Sequence, residues 1–162
     1  MTDSNVHPEG VNRPSPEQRI QSFSEFWPYY LSEHSVPLCR HVHFIGTTGF
    51  VAYLAYLTSE NYEVGAAFLG ALLIGRIGYQ LEAKRNAAWS LFAMIILVAW
   101  VEPRVLWGVL FAYFWAWCGH FLIEHNRPAT FTYPLWSLWG DFRMWGGMLI
   151  GRRWTGPERG AQ

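Results

Sequence analysis

Four apolar stretches separated by short polar connections dominate this chain of 162 residues. They run approximately over Phe44–Leu57, Val64–Tyr79, Ala87–Val101 and Val105–Ile123. A helix needs ~20 apolar residues to cross a bilayer core, and three of the four stretches are shorter. However, four such stretches in so small a chain leave too little polar surface to cover them in water. We therefore predict an all-α fold, a multi-pass membrane helical bundle of about four spans.

Amphipathic segments flank the apolar stretches. Before the first stretch, aromatic and aliphatic residues recur at helical spacing, namely Phe23, Phe26, Trp27, Tyr30 and Leu31. After the fourth, the tryptophan-rich segment Leu135–Ile150 carries Asp141 and Arg143, which we assign to its polar side. We predict that both segments are interfacial helices. The chain then divides into a polar tail (1–20), a membrane-embedded domain (21–151) and a polar C-terminal tail (152–162).

Charge decides orientation and excludes some partners. The chain has no net charge, so nucleic acid is not a predicted partner. The connections Thr58–Glu63 and Glu102–Arg104 are mainly acidic, whereas most arginines lie in the tails and in the turn Leu81–Asn86. Because positive charge favours the cytoplasmic side, we predict that both termini are cytoplasmic. The membrane would be the inner membrane in a bacterium or the endoplasmic reticulum in a eukaryote.

Three histidines and a carboxylate lie at one end of the predicted bundle. His34 and His43 come near the start of the first apolar stretch, and His120 and Glu124 end the fourth. Residues four apart in a helix share a face, as His120 and Glu124 do. Ionisable side chains at membrane depth are costly and indicate function. A single histidine would be interpreted as a hydrogen-bonded residue at the membrane interface. Three histidines and a carboxylate at one depth in the membrane favour a metal site.

Three strings carry a family resemblance: FWPYYLSEH at 26–34, RHVHFIGT at 40–47 and GHFLIEHNRPAT at 119–130. They resemble the 2-hydroxy fatty acid dioxygenases, which are Fe(II)-dependent membrane proteins of fatty acid α-oxidation and serve phytosphingosine breakdown in eukaryotes. The resemblance covers approximately Phe23–Arg143 and places the chain in a short, tryptophan-rich branch. It implies that His34, His43, His120 and Glu124 bind the metal.

The resemblance also implies an enzyme with Fe(2+) as cofactor. It would convert a long-chain 2-hydroxy fatty acid and O2 to CO2 and the acid one carbon shorter. Imidazole and carboxylate ligands with open coordination positions suit this chemistry. Glu124 is then a catalytic residue, either as a ligand or as an acceptor for a ligating histidine. Arg40 and Arg127 are candidates for the substrate carboxylate, with lipid phosphate as their alternative partner.

Two other functions remain open at this stage. The first is a non-enzymatic lipid-binding or scaffold protein, for which the aromatic stripes suffice. The second is a haem protein with His43 and His120 as axial ligands on facing helices. Besides the bilayer, the sequence leaves a homo-oligomer open as an assembly.

Overall fold

The computed structural model of the protein describes residues 19–155. Most of the predicted N-terminal tail and part of the C-terminal tail lie outside these residues. The described part of the chain is helical without a strand, which confirms the all-α class. Its helices are α1 (Phe23–Ser32), α2 (Pro37–Glu60), α3 (Tyr62–Leu81), α4 (Ala88–Val101), α5 (Val105–Trp117), a π-helix (Cys118–Glu124), a 3₁₀ turn (Ala129–Phe131) and α6 (Pro134–Leu149).

Two antiparallel helix pairs form the body of the fold: α2 packs on α5, and α3 packs on α4. Small residues allow the close approach of α2 and α5. A Cβ atom added at Gly46 would lie 3.1 Å from the carbonyl oxygen of Ala112. At the other contact, a Cβ atom at Gly119 would lie 3.0 Å from the sulfur of Cys39. This tight packing brings the start of α2 against the end of α5, where the predicted metal ligands lie.

Within residues 19–155, two stretches of helix are long and apolar enough to cross a membrane, α3 and the continuous helix Val105–Glu124, each of 20 residues. The apolar helix α4 is shorter, at 14 residues. Helix α2 has 24 residues but carries Arg40, His41 and His43 in its first two turns. The four predicted stretches are thus all helical, while the number of membrane spans and the bundle in the bilayer stay predictions.

The two flanking amphipathic helices differ from expectation in what they bury. The aromatic stripe of α1 does not face outward, because Phe26 and Tyr30 are 0% and 1% exposed. It packs on the 3₁₀ turn and α6 in a cluster with Tyr133, Trp136 and Met144. An amphipathic pattern reports that one face is buried but not what covers it. Here the two helices cover each other, rather than turning these aromatic faces to a lipid interface.

Glu82, at the end of α3, joins several elements from a fully buried position. Its Oε2 accepts a hydrogen bond of 2.7 Å from the backbone N–H of Leu135, in the first turn of α6. Its Oε1 accepts from the backbone N–H of Ala87 and from the guanidinium of Arg19, at 3.3 Å and 3.1 Å. A carboxylate at the first turn of a helix satisfies N–H groups that have no partner inside the helix.

We therefore expect Glu82→Ala to lower the free energy of unfolding by about 3 kcal/mol, because it leaves buried donors and a guanidinium without their acceptor. Chemical unfolding of detergent-solubilised protein, followed by circular dichroism, measures the effect. Glu63→Ala is the matched control, since Glu63 is an exposed carboxylate in the first turn of α3. An equal loss in both variants would contradict the structural role of Glu82.

Candidate metal centre

Three imidazole rings meet between α1, α2 and the π-helix. The ring centroids of His34 and His43 are 4.5 Å apart, those of His34 and His120 are 4.6 Å apart, and those of His43 and His120 are 5.1 Å apart. All three side chains are buried. The structure therefore brings together the three histidines that the sequence placed at one end of the bundle.

Each ring is held through its Nδ1 atom by an oxygen. His34 Nδ1 lies 2.7 Å from the carbonyl oxygen of Tyr30, His43 Nδ1 lies 2.9 Å from Oδ1 of Asp141, and His120 Nδ1 lies 2.8 Å from Oδ1 of Asn126. Because these oxygens accept hydrogen bonds, the proton of each neutral ring belongs on Nδ1. The lone pair is then on Nε2, the arrangement found in metal-ligating histidines.

His34 owes its position to the end of α1. The last carbonyl groups of a helix have no partner inside it, and the ring of His34 donates to one of them, the carbonyl of Tyr30. The guanidinium of Arg40 holds the same residue from the other side, because its Nε donates to the His34 carbonyl at 2.6 Å. Burial lowers the pKa of His34 well below its ordinary value, and the neighbouring His43 and His120 lower it further. The ring is therefore neutral at physiological pH, as a metal ligand must be.

His120 is positioned by an irregular helix end. The last turns of the α5 helix widen into the π-helix Cys118–Glu124, and His125 follows with a left-handed backbone (φ 54°). The backbone N–H groups of His125 and Asn126 both donate to the carbonyl of His120. The chain thus folds back, and the Asn126 side chain reaches the His120 ring. Its amide nitrogen donates to Glu33, which fixes the amide oxygen toward His120. Short π-helical segments occur frequently at functional sites.

His43 is held by Asp141, whose role the sequence did not reveal. Oδ1 of Asp141 accepts from the His43 ring and, at 2.5 Å, from the hydroxyl of Tyr30. Burial raises the pKa of Tyr30 well above its ordinary value, and the charge of Asp141 raises it further, so the phenol stays a donor. We predicted Asp141 on the polar side of the last helix, but it faces the histidines. The sequence does carry one indication of this role, since Asp141 is the only carboxylate in the segment Leu135–Ile150.

A cavity of about 790 Å³ opens beside the three rings. Ligand pockets in proteins commonly have volumes of about 300–1,000 Å³. His34, His43, His120, Tyr30 and Asp141 line one end of this cavity. The rest of the wall is mainly apolar and comes from α2 to α6 and from residues 128–130, and it includes one arginine, Arg76 of α3. A polar group held at the histidines would therefore carry an apolar chain into the protein.

The side chain of Glu124 contacts the start of α2 and does not line the cavity. Its two carboxylate oxygens accept from the backbone N–H of Val36 at 2.7 Å and from the hydroxyl of Ser35 at 2.9 Å, at the start of α2. It also accepts from the thiol of Cys39, whose pKa is raised by burial and by this carboxylate. Glu124 is not part of the cavity wall. Its role as a metal ligand stays a prediction, and the structure shows it binding the N-terminal turn of α2.

The two arginines predicted for the substrate carboxylate are outside the cavity wall. Arg40 is buried behind His34, and Arg127 is exposed with its guanidinium 5.1 Å from the ring centroid of Phe131. Arg127 lines a separate, smaller cavity of about 290 Å³. Their role in substrate binding therefore stays a prediction.

The residues fit a metal ion better than a haem. The Nε2 atoms of His34 and His43 are buried and have no hydrogen-bond partner, which is costly unless something binds there. The sulfur of Cys39 is a further candidate metal ligand, because the ligand atoms of His34, Cys39 and His43 lie within 4.8 Å of one another. A haem between His43 and His120 would need the space that the His34 ring occupies, 4.5 and 4.6 Å from the other two. Imidazole suits iron, zinc and copper.

No curated protein and no solved structure matches the chain significantly. A family model described as "2-hydroxy-palmitic acid dioxygenase Mpo1-like" matches residues 20–153, which include all three histidines and Asp141. This confirms the resemblance inferred from the three strings. The chain belongs to the Mpo1-like family of 2-hydroxy-palmitic acid dioxygenases.

Proposed function

We propose that this protein is an Fe(II)-dependent dioxygenase that shortens a long-chain 2-hydroxy fatty acid by one carbon. The observation that carries the proposal is the group of three imidazoles, each fixed at Nδ1, at one end of an apolar cavity. The family name supports the reaction class. Zinc has no redox chemistry, so a dioxygenase needs another metal, and imidazole ligands suit iron.

The overall reaction balances without a further reductant. R–CHOH–COOH and O2 give R–COOH, CO2 and H2O, so the hydroxy acid loses the four electrons that reduce dioxygen. Iron held by His34, His43 and His120 would supply a site where O2 and the hydroxy acid react. Neither 2-oxoglutarate nor an electron-transfer partner is required.

The protein's own residues orient the histidine rings and bind the substrate. Tyr30, Asp141 and Asn126 hold the three rings through Nδ1, which leaves the Nε2 lone pairs available to a metal ion. The apolar wall binds the acyl chain and excludes water from the polar end. Only the carboxylate and hydroxyl of the substrate then reach the metal. In this proposal Glu124 fixes the start of α2 by accepting from the backbone N–H of Val36. Helix α2 carries His43.

We also propose that the protein is embedded in a membrane with both termini on the cytoplasmic side. Large apolar side chains on the candidate spans and on α4 point outward, among them Leu73, Trp100 and Trp107, which are 70%, 87% and 70% exposed. Such a surface suits lipid and not water. The histidines would then lie at the cytoplasmic end of the bundle, where a fatty acid enters from the adjacent leaflet.

The test uses protein loaded anaerobically with Fe(II) and then given oxygen and 2-hydroxypalmitate. We expect pentadecanoic acid and CO2 as products. Palmitic acid should be inert, because it lacks the hydroxyl oxygen and because its conversion to pentadecanoic acid and CO2 would remove six electrons, two more than one O2 accepts. An unshortened product, or turnover without oxygen, would leave the lipid-binding scaffold as the better interpretation.

A further inference from the structure

The large cavity has a defined far end. Along α5, one face lines it from top to bottom, through Val105, Val109, Ala112 and Ala116 to His120. His120 is fifteen positions after Val105, which corresponds to about 22 Å of helix. The hydrocarbon core of a bilayer is ~30 Å thick and holds two lipid chains end to end. The cavity is therefore deep enough for one long acyl chain.

Two nearly buried valines close the far end. Val98 of α4 and Val105 of α5 line the cavity and are 4% and 3% exposed. Leu57 and Val64 belong to the same apolar cluster, are fully buried, and do not line the cavity. They lie at the facing ends of α2 and α3, opposite the histidines. The cavity therefore ends on Val98 and Val105, with a packed layer beneath.

We propose that Val98 and Val105 set the longest acyl chain that this protein accepts. The head of the fatty acid lies at the histidines, and its methyl end reaches the two valines. This inference rests on the proposed function only for the identity of the head group. The binding of the chain depends on the apolar wall, so it is measurable without iron and without turnover.

The experiment measures binding of saturated fatty acids, from decanoic to eicosanoic acid, to metal-free protein. Displacement of a fluorescent fatty acid reports the affinity. Each added methylene should strengthen binding up to about fourfold until the chain reaches the valines, after which affinity stops rising. Val105→Phe should move this break to shorter chains, and Val105→Ala should move it to longer ones.

Two further variants fix the direction of the chain. Ala112 lies eight residues before His120, so Ala112→Phe fills the cavity about 12 Å from the histidines. It should move the break to much shorter chains than Val105→Phe does. Leu106→Phe is the matched control, because Leu106 is 42% exposed and outside the cavity wall, and it should leave the break unchanged.

The outcomes separate this inference from the proposed function. An unchanged break in Ala112→Phe and in both Val105 variants, each with wild-type helicity, would overturn the inference even if the enzyme were active. Conversely, the expected shifts without any catalytic turnover would support the chain-binding cavity and count against the dioxygenase. A break that moves equally in Leu106→Phe would also overturn it.

Discussion

Replacing His43 with alanine is expected to abolish most iron binding while leaving the helices intact. The ring is one of three whose centroids lie 4.5–5.1 Å apart. Loss of a metal ligand should weaken iron binding by more than the ~10–100-fold that is typical when a residue orienting a ligand is lost. The same result is expected for His34→Ala and His120→Ala. Iron content after anaerobic loading and desalting measures the loss, and far-ultraviolet circular dichroism checks the fold.

His41→Ala is the matched control for these variants. His41 is on the same helix as His43, but its ring packs 5.3 Å from the ring centroid of Trp154 and does not line the cavity. It should keep its iron. Cys39→Ser tests whether the Cys39 sulfur is a metal ligand beside His34 and His43. This variant should also keep most of its iron, because the thiol is hydrogen-bonded to Glu124. Full iron retention in all three histidine variants would rule out this site.

Asp141→Asn is expected to weaken iron binding by roughly 10- to 100-fold without unfolding the protein. The change keeps the shape of the side chain but removes the charge that holds the Nδ1 proton of His43. His43 then becomes a weaker and less well oriented ligand. Competition with a coloured chelator of known affinity gives the iron dissociation constant, so the result does not depend on activity.

Two controls show whether the effect acts through His43. Tyr30→Phe removes the second donor to Asp141 but leaves the contact with His43, so it should change iron affinity far less than Asp141→Asn does. Glu63→Gln makes the same chemical change at an exposed carboxylate and should have no effect. Wild-type iron affinity in Asp141→Asn would show that Asp141 does not position His43.

The sequence was sufficient to predict the helices and the meeting of the three histidines. Long apolar stretches with polar breaks give the helix order directly, and α2 and α5 bring their histidines to one end because they run antiparallel. The hydrogen bonds around the rings were not predictable in this way. Asp141 is 98 residues from His43, and only the packing of α6 on α2 joins them.

Two features of the structure were not predictable from residue spacing. Spacing by four placed Glu124 beside His120, but the helix widens there and the carboxylate turns to the N–H of Val36. Likewise, the aromatic stripe of α1 has the pattern of an interfacial helix, yet α6 covers it. A periodic pattern identifies the buried face of a helix, whereas the identity of its neighbour depends on tertiary packing.

The most direct measurement of the proposed activity is the ratio of oxygen consumed to CO2 released. It uses iron-loaded protein, a 2-hydroxy acid labelled with ¹³C at the carboxyl carbon, and no added reductant or 2-oxoglutarate. We predict one labelled CO2 for each O2 consumed by the wild-type protein, and neither process in His43→Ala. Release of CO2 without oxygen uptake, or oxygen uptake without labelled CO2, would contradict the proposal that the three histidines hold the iron of a 2-hydroxy fatty acid dioxygenase.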